Sequence, residues 1–239
     1  MIGAGILLRL CKFVNYSFGN DSAIRDLLKP LPITITSLEW LNVLVVECLV
    51  IHAKEGDIYV FKSSDSKEDW DDNYKFFPTR LHKDEPSCCF GLCDSQMVHT
   101  GFNKQFNIIL PELLKIKTST TRALFTGFSL GGALATITAN ALKYKTKELI
   151  TFGSPKVGNH AFVKSVESQL VRNERWVLKN DYVTRLPPGR YYQHTGRLNV
   201  VGYSTLLHKE VGDILFFCKT QNYEDHDLYK YIPEVDRWS

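Results

Sequence analysis

Apolar and polar positions follow one another loosely in the first hundred residues of this chain and regularly after that. Residues 4–29 read as helical and end at Lys29-Pro30-Leu31-Pro32, because proline cannot continue a helix. Asn42–Ala53 and Asp57–Phe61 read as two strands, with Lys54-Glu55-Gly56 as the hairpin turn between them. A charged stretch from Ser63 to Asn73 and an irregular segment to about Met97 follow. Phe102–Lys117 is helix-like, with Pro111 either interrupting it or opening a new turn. From there strand and helix alternate. Ala123–Thr126 precedes a helical run, Leu130–Lys143. Glu148–Phe152 precedes a turn and a helix near His160–Leu170, and Trp176–Lys179 reads as the next strand. The tail carries apolar runs at Leu198–Tyr203 and Asp213–Phe217, then a short helix near Asp225–Ile232. Such alternation predicts an α/β fold, a mainly parallel central sheet with helices on both faces. No linker marks a second unit, so residues 1–239 are expected to form one domain.

Composition removes several function classes. Of 239 residues, 44% are hydrophobic and 23% charged, which is ordinary for a folded chain and excludes extensive disorder. A net charge of +3, with lysines and arginines spread along the chain, argues against a nucleic-acid partner. The longest apolar stretch, Asn42–Ala53, contains Glu47 and is too short to cross a bilayer. Met1–Cys11 has no basic leader and carries Arg9 inside its apolar run. No cleaved signal is therefore expected, and a soluble protein in the cytoplasm is favoured over a secreted one.

Six cysteines are present. Cys48 and Cys218 lie in strand-like runs, where thiols behave as small hydrophobes. Cys88, Cys89 and Cys93 have His82 and His99 nearby, but adjacent cysteines are poorly placed to share one tetrahedral ion. Free thiols are expected, with a loop disulfide or zinc as the alternatives, and no metal or organic cofactor.

The candidate chemistry sits in Gly127-Phe128-Ser129-Leu130-Gly131, between the Ala123–Thr126 strand and the Leu130–Lys143 helix. The motif alone is a weak signal. Between a strand and a helix it has the order of a nucleophile elbow, in which a tight turn lifts a serine above a helix N-terminus. The glycines would let neighbouring backbone approach where a Cβ would clash. A serine hydroxyl needs a base, a carboxylate to orient that base, and N–H donors for the oxyanion. In this arrangement the chain order is serine, acid, histidine. Asp181 follows the Trp176–Lys179 strand and is the strongest acid candidate, against a turn aspartate as the plainer reading. His194, His208 and His226 come after it, and His226 lies on a short element near the end, as a loop-borne base would.

Several segments together resemble the class 3 lipases, the family of fungal triacylglycerol lipases and related acyl hydrolases. Thr126-Gly-Phe-Ser-Leu-Gly-Gly-Ala-Leu-Ala135 resembles that family's elbow. Thr151-Phe-Gly-Ser-Pro-Lys-Val-Gly-Asn159 is similar to its segment after the next strand and is the more specific signal. Asp181-Tyr-Val-Thr-Arg-Leu-Pro-Pro188 resembles the segment with the catalytic aspartate, and His226-Asp-Leu-Tyr229 the segment with the base. Tyr192-Gln-His194-Thr-Gly196 matches a segment whose histidine is not the base, and Val98-His99-Thr100-Gly101-Phe102 is also similar. The resemblance runs from about residue 40 to 230. It implies an α/β-hydrolase fold, an acyl-lipid ester as substrate with transient contact to a lipid surface, and Ser129, Asp181 and His226 as catalytic residues.

By the same resemblance the oxyanion donors are the backbone N–H of Leu130 and Ser64, the latter ending Ile58-Tyr-Val-Phe-Lys-Ser-Ser64. This chain has Lys62 and Ser63 where the family usually has arginine and glycine, which puts the shape of that corner in question. Phe128 replaces a common histidine, at a position expected to pack against neighbours and take no part in proton transfer. The segment Asp65–Tyr74 corresponds to a lid, in which Trp70 is the candidate substrate or lid contact and the rest is largely polar. A polar lid favours dispersed or single-chain esters over emulsified triacylglycerol. The alternative to an esterase is a catalytically silent lipase-like interaction module, suggested by the altered corner and opposed by the intact serine, aspartate and histidine.

Overall fold

The computed structural model describes residues 2–63, 78–81, 95–202 and 225–237. Two helices open it, α1 (Ala4–Tyr16) and α2 (Asp21–Leu28). The single helical run expected over 4–29 is thus broken. Gly19 sits at φ 83°, where a helix cannot continue, and the Asn20 side chain accepts from the Ala23 N–H at 3.1 Å to start α2. Helix α1 buries Leu7, Leu8, Cys11 and Val14, spacings that put all four on one face.

A seven-stranded sheet forms the centre of the molecule. Its strands are β1 (Ile35–Val43), β2 (Val46–Ala53), β3 (Asp57–Phe61), β6 (Arg122–Phe128), β7 (Thr146–Phe152), β8 (Leu170–Leu178) and β9 (Arg197–Val201), side by side in that order. The short strands β4 (Pro78–Arg80) and β5 (Met97–His99) pair separately. β1–β2 and β2–β3 are antiparallel, and the four remaining pairings in the large sheet are parallel.

The apolar stretch Asn42–Ala53 is not one strand. The chain reverses at Leu44-Val45 between β1 and β2, with Leu44 at φ 54°. Nothing in Val43-Leu-Val-Val46 carries the glycine, asparagine or proline that marks a turn, so the pattern hid it. Pro111 lies inside α3 (Thr100–Leu113), near its end. The remaining helices are α4 (Leu130–Ala141), α5 (His160–Glu167) and α6 (Leu228–Asp236). The apolar run Asp213–Phe217 lies outside the described residues.

Both faces of the sheet are covered. On one, Phe102, Phe106 and Ile109 of α3, Ala133, Leu134 and Ile137 of α4, and Phe162 and Val166 of α5 pack on Val50, Tyr59 and Phe125. On the other, Leu7, Leu8 and Val14 of α1, Ile24 and Leu28 of α2, and Tyr231 and Val235 of α6 pack on Ile51, Val60, Ile150 and Trp176. Each fully buried side chain of this size contributes about 1.5–3 kcal/mol. Cys11 and Cys48 are buried free thiols in these cores. Burial lifts the Cys11 thiol to about 12, so it acts as a hydrophobe. Cys88, Cys89, Cys93 and Cys218 lie outside the described residues.

The sheet sets up one reactive edge. Phe61 pairs with Gly127, Phe128 with Phe152, and Phe152 with Trp176, so the parallel strands end nearly level. Open α/β sheets place their ligands outside such carboxyl ends.

Candidate active site

Ser129 follows β6 directly and precedes α4. Its backbone is at φ 54° and ψ −124°, a region costly for any residue but glycine. Three contacts hold it there. Its N–H donates to the Phe152 carbonyl at 2.9 Å, and its own carbonyl accepts from the Gly132 N–H at 2.9 Å and the Ala133 N–H at 3.3 Å. The glycines leave the space this needs. A Cβ on Gly127 would overlap the backbone of Gly131, and one on Gly131 would overlap the carbonyls of Phe61 and Lys62. A Cβ on Gly132 would lie 2.8 Å from that of Ser154.

The structure brings Ser129, just past β6, Asp181, just past β8, and His226, just before α6, together. The Ser129 hydroxyl donates to His226 Nε2 at 2.7 Å, and His226 Nδ1 donates to Asp181 Oδ2 at 2.8 Å. These directions follow from chemistry: a carboxylate only accepts, which leaves Nε2 as the acceptor for the hydroxyl. Asp181 lies three residues beyond β8 and is completely buried. Its other oxygen accepts from the Val183 N–H at 2.9 Å. His226 precedes α6, whose N-cap Asp227 accepts from the Tyr229 N–H at 2.9 Å. Leu130 is the first residue of α4, so its N–H has no acceptor within the helix. Ser64 and Trp70 lie outside the described residues, as does His208.

Two supporting side chains were not found from sequence. The Tyr231 hydroxyl donates to Asp181 Oδ2, the oxygen that also accepts from His226. Burial, and then the adjacent Asp181, pushes the Tyr231 phenol well above its ordinary range, so it remains a donor. A signal was present. Leu228, Tyr231 and Val235 share the buried face of α6, and a buried tyrosine hydroxyl requires a partner. Phe128 packs on the histidine itself, with ring centroids 4.8 Å apart in a stacked arrangement. Gly153, at φ 56°, makes the room. A Cβ there would lie 3.0 Å from the Phe128 ring, 3.1 Å from Asp181 Oδ2 and 3.2 Å from the Tyr231 hydroxyl.

The other supporting side chain is Asn15 of α1, beside the Lys62-Ser63 corner. Its Oδ1 accepts from the Ser63 N–H at 2.9 Å while its Nδ2 donates to the Cys11 carbonyl at 2.7 Å. Lys62 pairs with Glu47 of β2. The two residues at this corner are thus each held by a neighbouring element.

His194 lies away from the relay. Its Nε2–H donates to the Thr184 carbonyl at 2.6 Å, and the Thr184 hydroxyl donates to the Asp181 carbonyl at 2.8 Å. Burial, with the Arg175 charge adding to it, lowers the imidazole to about 3, so the ring is neutral. It ties down the loop that carries Asp181. His99 is buried, and its Nδ1 accepts from the Gly101 N–H at 3.1 Å at the start of α3.

Residues 58–191 match the family described as Lipase (class 3). The secreted mono- and diacylglycerol lipase A of Penicillium cyclopium is 28% identical over 147 residues, 58% of this chain and 45% of that protein. The secreted mono- and diacylglycerol lipase 1 of Fusarium solani is 36% identical over 107 residues, 41% of this chain and 32% of that protein. The matched part therefore spans less than half the length of either relative. The triacylglyceride lipase of Rhizomucor miehei superposes with a TM-score of 0.63 at 20% identity, covering 82% of this chain and 77% of that one. That likeness is one of fold, the α/β-hydrolase fold.

Proposed function

Because the chain belongs to the class 3 lipase family, we propose that it is a serine carboxylic-ester hydrolase acting on acyl lipid esters, built as a single α/β domain. The observation that carries this reading is the continuous hydrogen-bonded line from Ser129 through His226 to Asp181, at 2.7 and 2.8 Å. Ser129 Oγ attacks the ester carbonyl while His226 Nε2 takes its proton, and Asp181 stabilises the imidazolium that forms. The oxyanion is received by the N–H of Leu130, with Ser64 as the second donor by family resemblance. The alcohol leaves with the proton from His226. Water then attacks the acyl-enzyme, gives its proton to His226, and the acid departs with Ser129 regenerated. Every step is balanced by these side chains and water.

The substrate is an acyl lipid ester, with dispersed or single-chain esters as the preferred presentation. This rests on the polar composition of Asp65–Tyr74 together with the mono- and diacylglycerol lipases among the relatives. Those relatives are named as secreted proteins, which lends the expectation of a cytoplasmic protein no support. Among the described residues no helix is long and apolar enough to cross a membrane.

A fluorophosphonate probe tests the reading. It is expected to label the protein rapidly at Ser129, with labelling lost in Ser129→Ala and in His226→Ala, while His194→Ala stays within about tenfold of the parent. Absence of labelling in the parent chain would leave the silent interaction module as the correct description. Residual esterase activity above about 1% in Ser129→Ala would point to a different nucleophile.

A further inference from the structure

We infer that the tip of the β1–β2 hairpin, Leu44-Val45, is a contact point for the surface of a lipid aggregate beside the proposed catalytic serine. The identity of the occupant rests on the acyl-ester reading; the anomaly of the tip does not.

The anomaly has two parts. Leu44 is 82% exposed, the largest value for a bulky apolar side chain among the described residues, and Val45 beside it is 67% exposed. Both also occupy a two-residue hairpin loop with positive φ at its first position alone, where glycine followed by a polar residue is the inexpensive choice. Leu44 instead takes φ 54°. A branched side chain in that region is strained, and two apolar residues facing water gain nothing from burial. Neither folding nor solubility accounts for this pair.

Its position supplies the explanation. Cys48 pairs with Phe61, and Phe61 with Gly127, so two residues further along each strand Val46 is level with Ser129. Leu44 and Val45 therefore project past the level of the serine. Two strand spacings separate β2 from β6, which places the tip about 10 Å to the side. A second exposed group stands at the same end. Tyr16, 60% exposed, and Tyr229, 52% exposed, have ring centroids 5.4 Å apart, and Lys12 Nζ lies 4.6 Å from the centre of the Tyr229 ring. Tyr16 adjoins Asn15, which holds the Ser63 N–H, and Tyr229 is three residues past His226. Tyrosines with an adjacent lysine suit a boundary that is apolar on one side and wet on the other.

The chemistry favours a lipid surface over a protein partner. Stable protein interfaces bury about 800 Å² per partner, far more than two side chains on a narrow hairpin tip supply. Shallow insertion of two apolar side chains into an acyl layer needs no matching surface, and it brings esters to the side of the sheet where Ser129 stands.

The test uses the replacement that the turn itself prefers, Leu44→Gly with Val45→Asn. Partition onto phosphatidylcholine vesicles containing monoacylglycerol is measured by sedimentation in the Ser129→Ala background, so that the surface is not consumed. The replacement is expected to lower the partition coefficient roughly tenfold or more, with a melting temperature equal to or above the parent's. Leu44→Ala with Val45→Ala, which keeps the turn free of glycine, is expected to lower partition in the same direction. Equal partition of parent and variants, or a parent that does not partition, overturns the inference. So does a change from self-associated parent to monomeric variant, which would make the tip an interface between copies. With Ser129 restored, a parent that hydrolyses neither dissolved nor vesicular ester while the variants still lose partition would overturn the esterase reading alone. Turnover that keeps the same vesicular-to-dissolved ratio in parent and variants would overturn the tip alone.

Discussion

The ring of Phe128 lies stacked on the imidazole of His226, with centroids 4.8 Å apart and planes inclined by 21°. Phe128 immediately precedes Ser129, so the turn that aims the proposed nucleophile also supplies the surface that steadies its proposed base. Tyr231 closes the arrangement, meeting Phe128 edge-on at 5.4 Å while its hydroxyl holds Asp181. The position was expected to pack without taking part in proton transfer. It packs against the group that performs the proposed transfer.

Phe128→Leu removes the stack and keeps most of the volume. An aromatic pair contributes about 0.5–1.5 kcal/mol beyond its area, so kcat/KM for a dissolved ester is expected to fall between about twofold and tenfold. The fall should appear mainly in kcat, because the ring is buried against the proposed base. A change confined to KM would show that Phe128 shapes the pocket and leaves the base alone.

Tyr231→Phe deletes one of the donors to the Asp181 carboxylate without opening a cavity. Hydrogen bonds to charged groups contribute about 1.5–3 kcal/mol, so chemical denaturation should show a loss in that range. Turnover is expected to drop about three- to tenfold as Asp181 holds the imidazole less firmly. Full activity with unchanged stability would mean that this hydrogen bond carries no energy.

Acid should destabilise the protein through His194. Its folded value of about 3 lies below the ordinary histidine value of 6.5, so between them the unfolded chain binds more protons than the folded one. Stability from this group is fully present above about pH 6.5 and is lost as pH falls toward 3, at up to about 1.4 kcal/mol per pH unit. His194→Gln, which retains a donor for the Thr184 carbonyl, is expected to flatten the slope of unfolding free energy against pH over that window. An equal slope in both proteins would assign the acid sensitivity elsewhere.

The sequence by itself determined the alternation of strand and helix from residue 123 onward, and with it the α/β class. Period and turn residues are local properties, and here both agreed with the fold. It also determined the elbow, since Gly127 and Gly131 are needed wherever β6 turns into α4 at this closeness. Only the tertiary structure decided what the other family-like segments do. Val98 bridges to Gly158 and Gly158 to Gln193, so three separate stretches meet as scaffold, with the Gln193 N–H donating to the Gly158 carbonyl at 2.8 Å. Spacing along the chain carries no record of such a meeting. The hairpin at Leu44 was illegible for the opposite reason, because its residues contradict the turn they form. The preference for His226 over His194 as the proposed base also draws on the fold, while His208 lies outside the described residues. Chain order favoured His226, but a base is defined by reach, and reach to both Ser129 and Asp181 exists only once β6, β8 and the segment before α6 are packed side by side.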